Sequence, residues 1–209
     1  MSDDGWAKHP FPPNEHLHYS PLRRIQQHKD SDGVQHNVLV QTEEMSCGLA
    51  AATMIIDLWR HRGQPGGPSA EMRLKQVAGQ FAGSMVAQDQ ERKSQGPASG
   101  HEGSLATNIE RLLLHEGIGI AAVWHRWQEK PGSDALALGR IHHRPALLLW
   151  GWYDAAGNNR RGGHFTVGAR VTKASKVVIL DPWDGSLAEI ERRARYQGAG
   201  MLDAAVYTG

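Results

Sequence analysis

The order of elements in this chain predicts an α+β fold, with helices in the first half and a meander of strands in the second. Three segments, 46–62, 69–81 and 104–116, place apolar residues at helical spacing. From Pro145 to Tyr207, short apolar or alternating runs are separated by turns rich in Gly, Asn and Asp. The two patterns are segregated along the chain, as α+β folds require.

Residues 1–35 are rich in Pro, His and charge and show no periodicity. They predict an irregular N-terminal arm ahead of a domain spanning residues 36–209. His36 to Gln41 is a short apolar run that reads as a strand. From Ser46 or Cys47 to about Arg62, Ala, Leu and Met dominate, and Leu49, Thr53, Ile56 and Trp59 recur on one helical face. Gly63-Gln64-Pro65-Gly66-Gly67-Pro68 ends that helix. Ser69 caps a second helix reaching about Phe81, and the polar stretch from Ala87 to Gly103 reads as a loop. Ser104 to Glu116 is a third helix, with Leu105, Ile109, Leu112 and Leu113 on its apolar face and Gly117 closing it.

A strand from Gly119 to Trp124 and a short helix from Ser133 to His143 come next. Strands follow over Pro145–Tyr153, His164–Val171 and Lys176–Leu180, with a polar turn at 154–163. Asp181-Pro182-Trp183-Asp184-Gly185 is a strong turn signal. The remainder, 186–209, predicts a short helix and a last strand over Ala204–Tyr207.

A length of 209 residues fits one domain, and 40% apolar with 22% charged residues is ordinary globular composition. Net charge is +1 with no long basic block, which gives no case for nucleic acid. No run of about 18 apolar residues exists, so no membrane-spanning helix is expected. The acidic start, Met1-Ser2-Asp3-Asp4-Gly5-Trp6, does not read as a secretory signal. The expected compartment is the cytoplasm, or the outside by a route without a cleavable N-terminal signal. Twelve histidines invite a metal, but His16 with His18 and His142 with His143 lack a matching ligand set. Neither a metal nor another cofactor is expected.

The single cysteine, Cys47, excludes an internal disulfide. It stands where a polar segment gives way to the first helix. Unpaired N–H groups and the helix dipole there favour an anion, and so a thiolate nucleophile. Such a nucleophile needs a base, an orienter for that base and donors for the oxyanion. His164 opens a strand behind Gly162-Gly163, and Asp181 closes the next one. Two antiparallel strands joined near Thr172–Ser175 bring both to one end of a sheet, where the carboxylate can fix the imidazole tautomer. Gln41, just upstream, offers a side-chain amide beside the backbone N–H of Cys47 as oxyanion donors. Taken singly, each has a plain role: a buried thiol, a strand-end histidine, a turn-starting Asp before Pro, a solvated loop Gln. Their order and placement at element ends favour a joint one. Asp184 is the alternative orienter. Trp183 would shield the Cys–His pair or simply pack, and Trp150 and Trp152 share one strand face, in a cleft or in the core.

Gln41 with Cys47-Gly48 at a helix start, then Gly163-His164-Phe165 and a strand ending Asp181-Pro182, resembles the papain-like cysteine peptidases. The likeness is nearest to the bacteriocin-processing, double-glycine-cleaving branch, and it covers about residues 36–207. The helix from Ser104, Gly117-Ile118-Gly119 and Arg144-Pro145-Ala146-Leu147-Leu148-Leu149 match that family's run before its histidine. The resemblance implies a nucleophile helix packed on an antiparallel sheet. It also implies Cys47 as nucleophile, His164 as general base and acid, Asp181 as orienter and Gln41 as oxyanion donor. The expected substrate is a peptide or protein, and the expected role that of a free-standing peptide-processing protease or a bacterial effector or toxin. The sequence departs from the family at Leu49-Ala50, in the length of 151–163 and in its N-terminal arm. The same thiol chemistry also serves a deamidase, a transglutaminase-like enzyme or an acyltransferase, and a non-catalytic peptide-binding module is the third reading.

Overall fold

In the computed structural model, residues 25–41, 47–60, 106–126, 138–141, 144–153, 160–192 and 195–209 are described. Their elements, in chain order, are β1 (Ile25–Lys29), β2 (Gln35–Leu39), α1 (Cys47–Arg60), α2 (Ala106–His115), β3 (Ile120–His125), β4 (Ala146–Tyr153), β5 (Arg160–Val171), β6 (Val177–Leu180), β7 (Leu187–Ile190) and β8 (Met201–Thr208). The arrangement is α+β. β1 and β2 form a hairpin, and the other strands form one antiparallel sheet in the order β3-β8-β4-β5-β6-β7.

Strand alternation divides the sheet into two apolar faces. Leu147, Leu149, Phe165, Val167, Val178, Leu180, Ala204 and Val206 meet α1 and α2 on one face. α1 approaches closely because Ala50, Ala51 and Ala52 present no bulk, and Met54, Ile55 and Ile56 complete its buried surface. α2 adds Ile109, Leu112 and Leu113 and ends at Gly117, whose positive φ of 77° allows Gly117 N–H to reach Leu114 O and Ile118 N–H to reach Leu113 O. The other face is aromatic: Trp124, Trp150, Trp152, Trp183, Tyr196 and Tyr207 are all buried there. With both faces covered, β4 and β6 read as continuous apolar runs. Trp150 and Trp152 share a face, and that face is core.

Three expectations change. First, the irregular arm does not hold to residue 35. Ile25–Lys29 pairs with β2 in register Ile25↔Leu39 to Lys29↔Gln35, so the boundary placed at 35/36 cuts through a hairpin. Periodicity could not reveal β1, because Ile25 is its one apolar residue. Backbone pairing makes the strand, with Gly33 (φ 81°) and the Asp30 carboxylate, which accepts from Asp32 N–H and Val34 N–H, shaping the turn. Second, β5 begins at Arg160, inside the expected polar turn, so His164 lies within a strand rather than at its start. Third, residues 187–190 are a strand paired with β6, and β8 begins at Met201; no helix occurs among the described residues of 186–209. The helix-forming Leu187-Ala188-Glu189 is overridden by the hairpin that the 181–185 turn imposes, with Gly185 at φ 76°. Residues 1–24, the helix expected at 69–81, the loop at 87–103, most of the helix at 133–143, the turn residues 154–159, Glu43, Glu44 and the His16/His18 and His142/His143 pairs lie outside the described residues. No helix among the described residues is long and apolar enough to cross a membrane.

The hairpin is fastened to the sheet by polar contacts. Arg170 of β5 donates to Asp30 and, at 2.7 Å, to Asp32. His36 Nε2 bonds Asp30 at 3.0 Å, and Ser31 Oγ donates to Glu189. Gln26 Nε2 donates to Asp184 O, and His28 Nε2 bonds Gly185 O. Burial raises the Asp30 carboxyl, but the His36 bond, the Val34 N–H and Arg170 outweigh it and hold it down at about 2. Deleting residues 1–35 should cost about 2 kcal/mol or more, read by urea unfolding, because a buried ionic network is broken.

Candidate active site

α1 starts at Cys47, so the thiol occupies the first helical position, half-buried beside the N–H groups that the helix leaves unpaired. His164 sits on β5 directly across from Trp150 of β4 and is fully buried. β5 runs on to Val171, turns at 172–176 and returns as β6, whose last residue, Leu180, pairs with Val167. The next residue, Asp181, is therefore carried back along β5 towards His164. His164 Nε2 and Asp181 Oδ1 are 2.6 Å apart, and both side chains are buried. With Nε2 committed to Asp181, the nitrogen left for the Cys47 thiol is Nδ1. The thiol lies near enough to the ring to bear on its protonation.

Asp181 is held by more than the histidine. Trp183 N–H donates to Oδ1 at 2.8 Å, and the Tyr196 hydroxyl donates to Oδ2. The turn is tight: Asp181 N–H reaches Ser186 O at 2.9 Å, and Gly185 N–H reaches Asp181 O at 3.0 Å. The Trp183 ring lies edge-on to the imidazole, with centroids 6.3 Å apart and an interplanar angle of 88°. It walls the His164–Asp181 pair from water. Asp184, the alternative orienter, is exposed and accepts Ser186 N–H, so the carboxylate on His164 is that of Asp181.

The charges follow from these contacts. Burial opposes the imidazolium, but the Asp181 charge and hydrogen bond, with Cys47 behind them, outweigh it and push His164 up to about 10. Burial likewise opposes the Asp181 carboxylate. The His164 charge and the bonds from His164, Tyr196 and Trp183 win, and Asp181 stays below the usual carboxylate range. Burial first and the Asp181 charge second push the Tyr196 phenol upward, so it remains a donor.

Gln41 is buried, and its backbone N–H donates to Pro182 O at 2.7 Å. The chain leaving β2 is thereby tied to the turn carrying Asp181. Residues 42–46, which join Gln41 to Cys47, lie outside the described residues. The structure thus joins His164 to Asp181, sets Cys47 near enough to bear on the ring and fixes Gln41 to the turn that carries Asp181. Tyr196 escaped sequence reading. It lies in Arg195-Tyr196-Gln197-Gly198, whose only signal is a turn, and it reaches Asp181 through tertiary packing alone. Chemically, a carboxylate-bound imidazole can accept the thiol proton, hold it, and return it to a leaving group. Comparison of the sequence with protein-family models gave no match, and comparison with curated proteins gave none either.

Proposed function

We propose that the protein is a thiol-dependent acyl-transfer enzyme of papain-like architecture, and that its reaction is peptide-bond hydrolysis. The observation that carries this reading is the buried imidazole of His164 bonded to Asp181, with the helix-start thiol of Cys47 near enough to bear on its charge. In this reading the proton of Cys47 passes to His164, and the thiolate attacks the substrate carbonyl carbon. The oxyanion is received by the Cys47 backbone N–H and the Gln41 amide. His164 gives its proton to the leaving amine as the C–N bond breaks, leaving a thioester on Cys47. The neutral imidazole then takes a proton from water, whose oxygen attacks the thioester and frees the acid and the thiol. Asp181 keeps the ring in one tautomer and offsets its charge.

Two measurements test it. The first is the rate of iodoacetamide alkylation of Cys47 against pH, in wild type and in His164→Ala. The reading expects reaction persisting well below about pH 8.5, where an unassisted thiol slows, and losing that reach without the imidazole. Superimposed profiles would reduce the fold to a non-catalytic scaffold. The second is mass spectrometry of peptide substrates against a Cys47→Ala control. Two Cys47-dependent fragments mean hydrolysis. An intact but slightly heavier chain means deamidation, and a joined acyl group means transfer to another acceptor.

A further inference from the structure

We propose that Tyr196 is a positioning residue for the reaction, clamping the second oxygen of Asp181 so that the first stays on His164 and the ring is held in one orientation for Cys47. The inference rests on the proposed thiol chemistry and adds to it a fourth side chain from a different part of the chain.

A carboxylate that accepts a single bond can turn about its Cβ–Cγ bond and exchange its oxygens. Here Oδ1 takes His164 Nε2 and Trp183 N–H, and Oδ2 takes the Tyr196 hydroxyl, so rotation would break bonds on both sides. Tyr196 is itself fixed. It is 1% exposed, and its ring stacks on Trp150 with centroids 5.0 Å apart and an interplanar angle of 23°. Its backbone exchanges bonds with Gly200 at 2.9 and 2.8 Å across a turn that uses the positive φ of Gln197 and Gly198. A Cβ on Gly200 would sit 3.0 Å from the Trp152 ring, so that turn is pressed onto the sheet. Trp150, the ring beneath Tyr196, pairs with His164 across the strands and donates Nε1 to Thr166 Oγ1 at 2.8 Å. The phenol is thus braced against the same two strands that carry the histidine. The position also demands a donor: Oδ2 is buried, and an unmatched carboxylate oxygen there is costly.

The titratable groups bearing on the clamp are His164 from β5, Cys47 from α1 through that ring, and the exposed Asp184 of the same turn. Donation by Tyr196 favours the ionised form of Asp181. Without the hydroxyl, Asp181 takes up its proton at a higher pH, and the imidazolium it supports is lost at that point.

The test is the pH profile of Cys47 alkylation in the full chain. Tyr196→Phe keeps the ring on Trp150 and removes only the donor. It should move the acid limb up by about one pH unit, the size of one hydrogen bond to a charged group. In an Asp181→Asn background the same change should do nothing further, whereas a merely structural tyrosine would lower stability in both backgrounds and leave the limb in place. Should Tyr196→Phe fail to fold, 3-fluorotyrosine introduced at 196 keeps the donor and makes it more acidic, and the acid limb should then move down. An unmoved limb in the variant that folds overturns the clamp while leaving the Cys47 chemistry standing. A wild-type profile with no His164-dependent limb overturns both.

Discussion

Replacing Asp181 by alanine should lower stability by about 3–5 kcal/mol at pH 6, the loss expected when one partner of a buried ion pair is removed. Three groups lose their acceptor together: His164 Nε2, the Trp183 N–H and the Tyr196 hydroxyl, all buried. His164 suffers most. Its protonated ring is fully buried, and Asp181 is what offsets the burial, so the ring must shed its proton or draw in water. Under the proposed chemistry, alkylation of Cys47 at pH 6 should then fall about 100-fold, towards that of a free cysteine. Asp181→Asn keeps an oxygen for Nε2 but not the charge, so it should cost less than alanine. Urea unfolding with unchanged m-values, run beside alkylation, reads both effects. An alanine variant within about 1 kcal/mol of wild type would mean that the pair is not held as an ion pair.

How far the site was legible depends on the kind of interaction that builds each part. The helix that begins at Cys47 was readable because Cys47 falls where polar residues give way to an Ala- and Leu-rich run, and a helix start is a local property. The strand pair was readable because Val177-Val178-Ile179-Leu180 is apolar throughout and a turn at 172–176 leaves one antiparallel partner. What was not readable is tertiary. β8 enters the sheet between β3 and β4, and nothing local in Met201–Thr208 specifies that place. Tyr196 reaches Asp181 from a turn without periodicity, and β1 is set by pairing and by the Asp30–Arg170 contact rather than by its own side chains. Even the aromatic face follows this rule. Trp150 and Trp152 could be placed on one side of a strand, but whether that side is core depends on the 195–200 segment lying over it.

In a Cys47→Ala background, stability is also expected to fall by about 2 kcal/mol between pH 6 and pH 8. His164 binds its proton more tightly in the folded protein, with its ordinary value of 6.5 raised to about 10. A raised value contributes stability that is complete below the unfolded value and drains away as pH climbs towards the folded one. In this window the unfolded chain releases the proton while the folded chain keeps it, so the slope approaches about 1.4 kcal/mol per pH unit above pH 6.5. Asp181 acts on the other side. Its value is depressed, so its share is present above about pH 4 and is lost only as pH falls further. Tyr196 is raised and remains a donor across the window. The optimum therefore lies between about pH 4 and 6.5. The thiol is removed because, under the proposed chemistry, Cys47 is ionised in the folded chain but not in the unfolded one across this window, which would cancel the slope from His164. Urea unfolding at pH 6, 7 and 8 gives the slope directly, and His164→Gln, which cannot titrate, should flatten it. In that background, a slope no steeper than that of the added His164→Gln change would mean that Asp181 does not hold a proton on the buried ring.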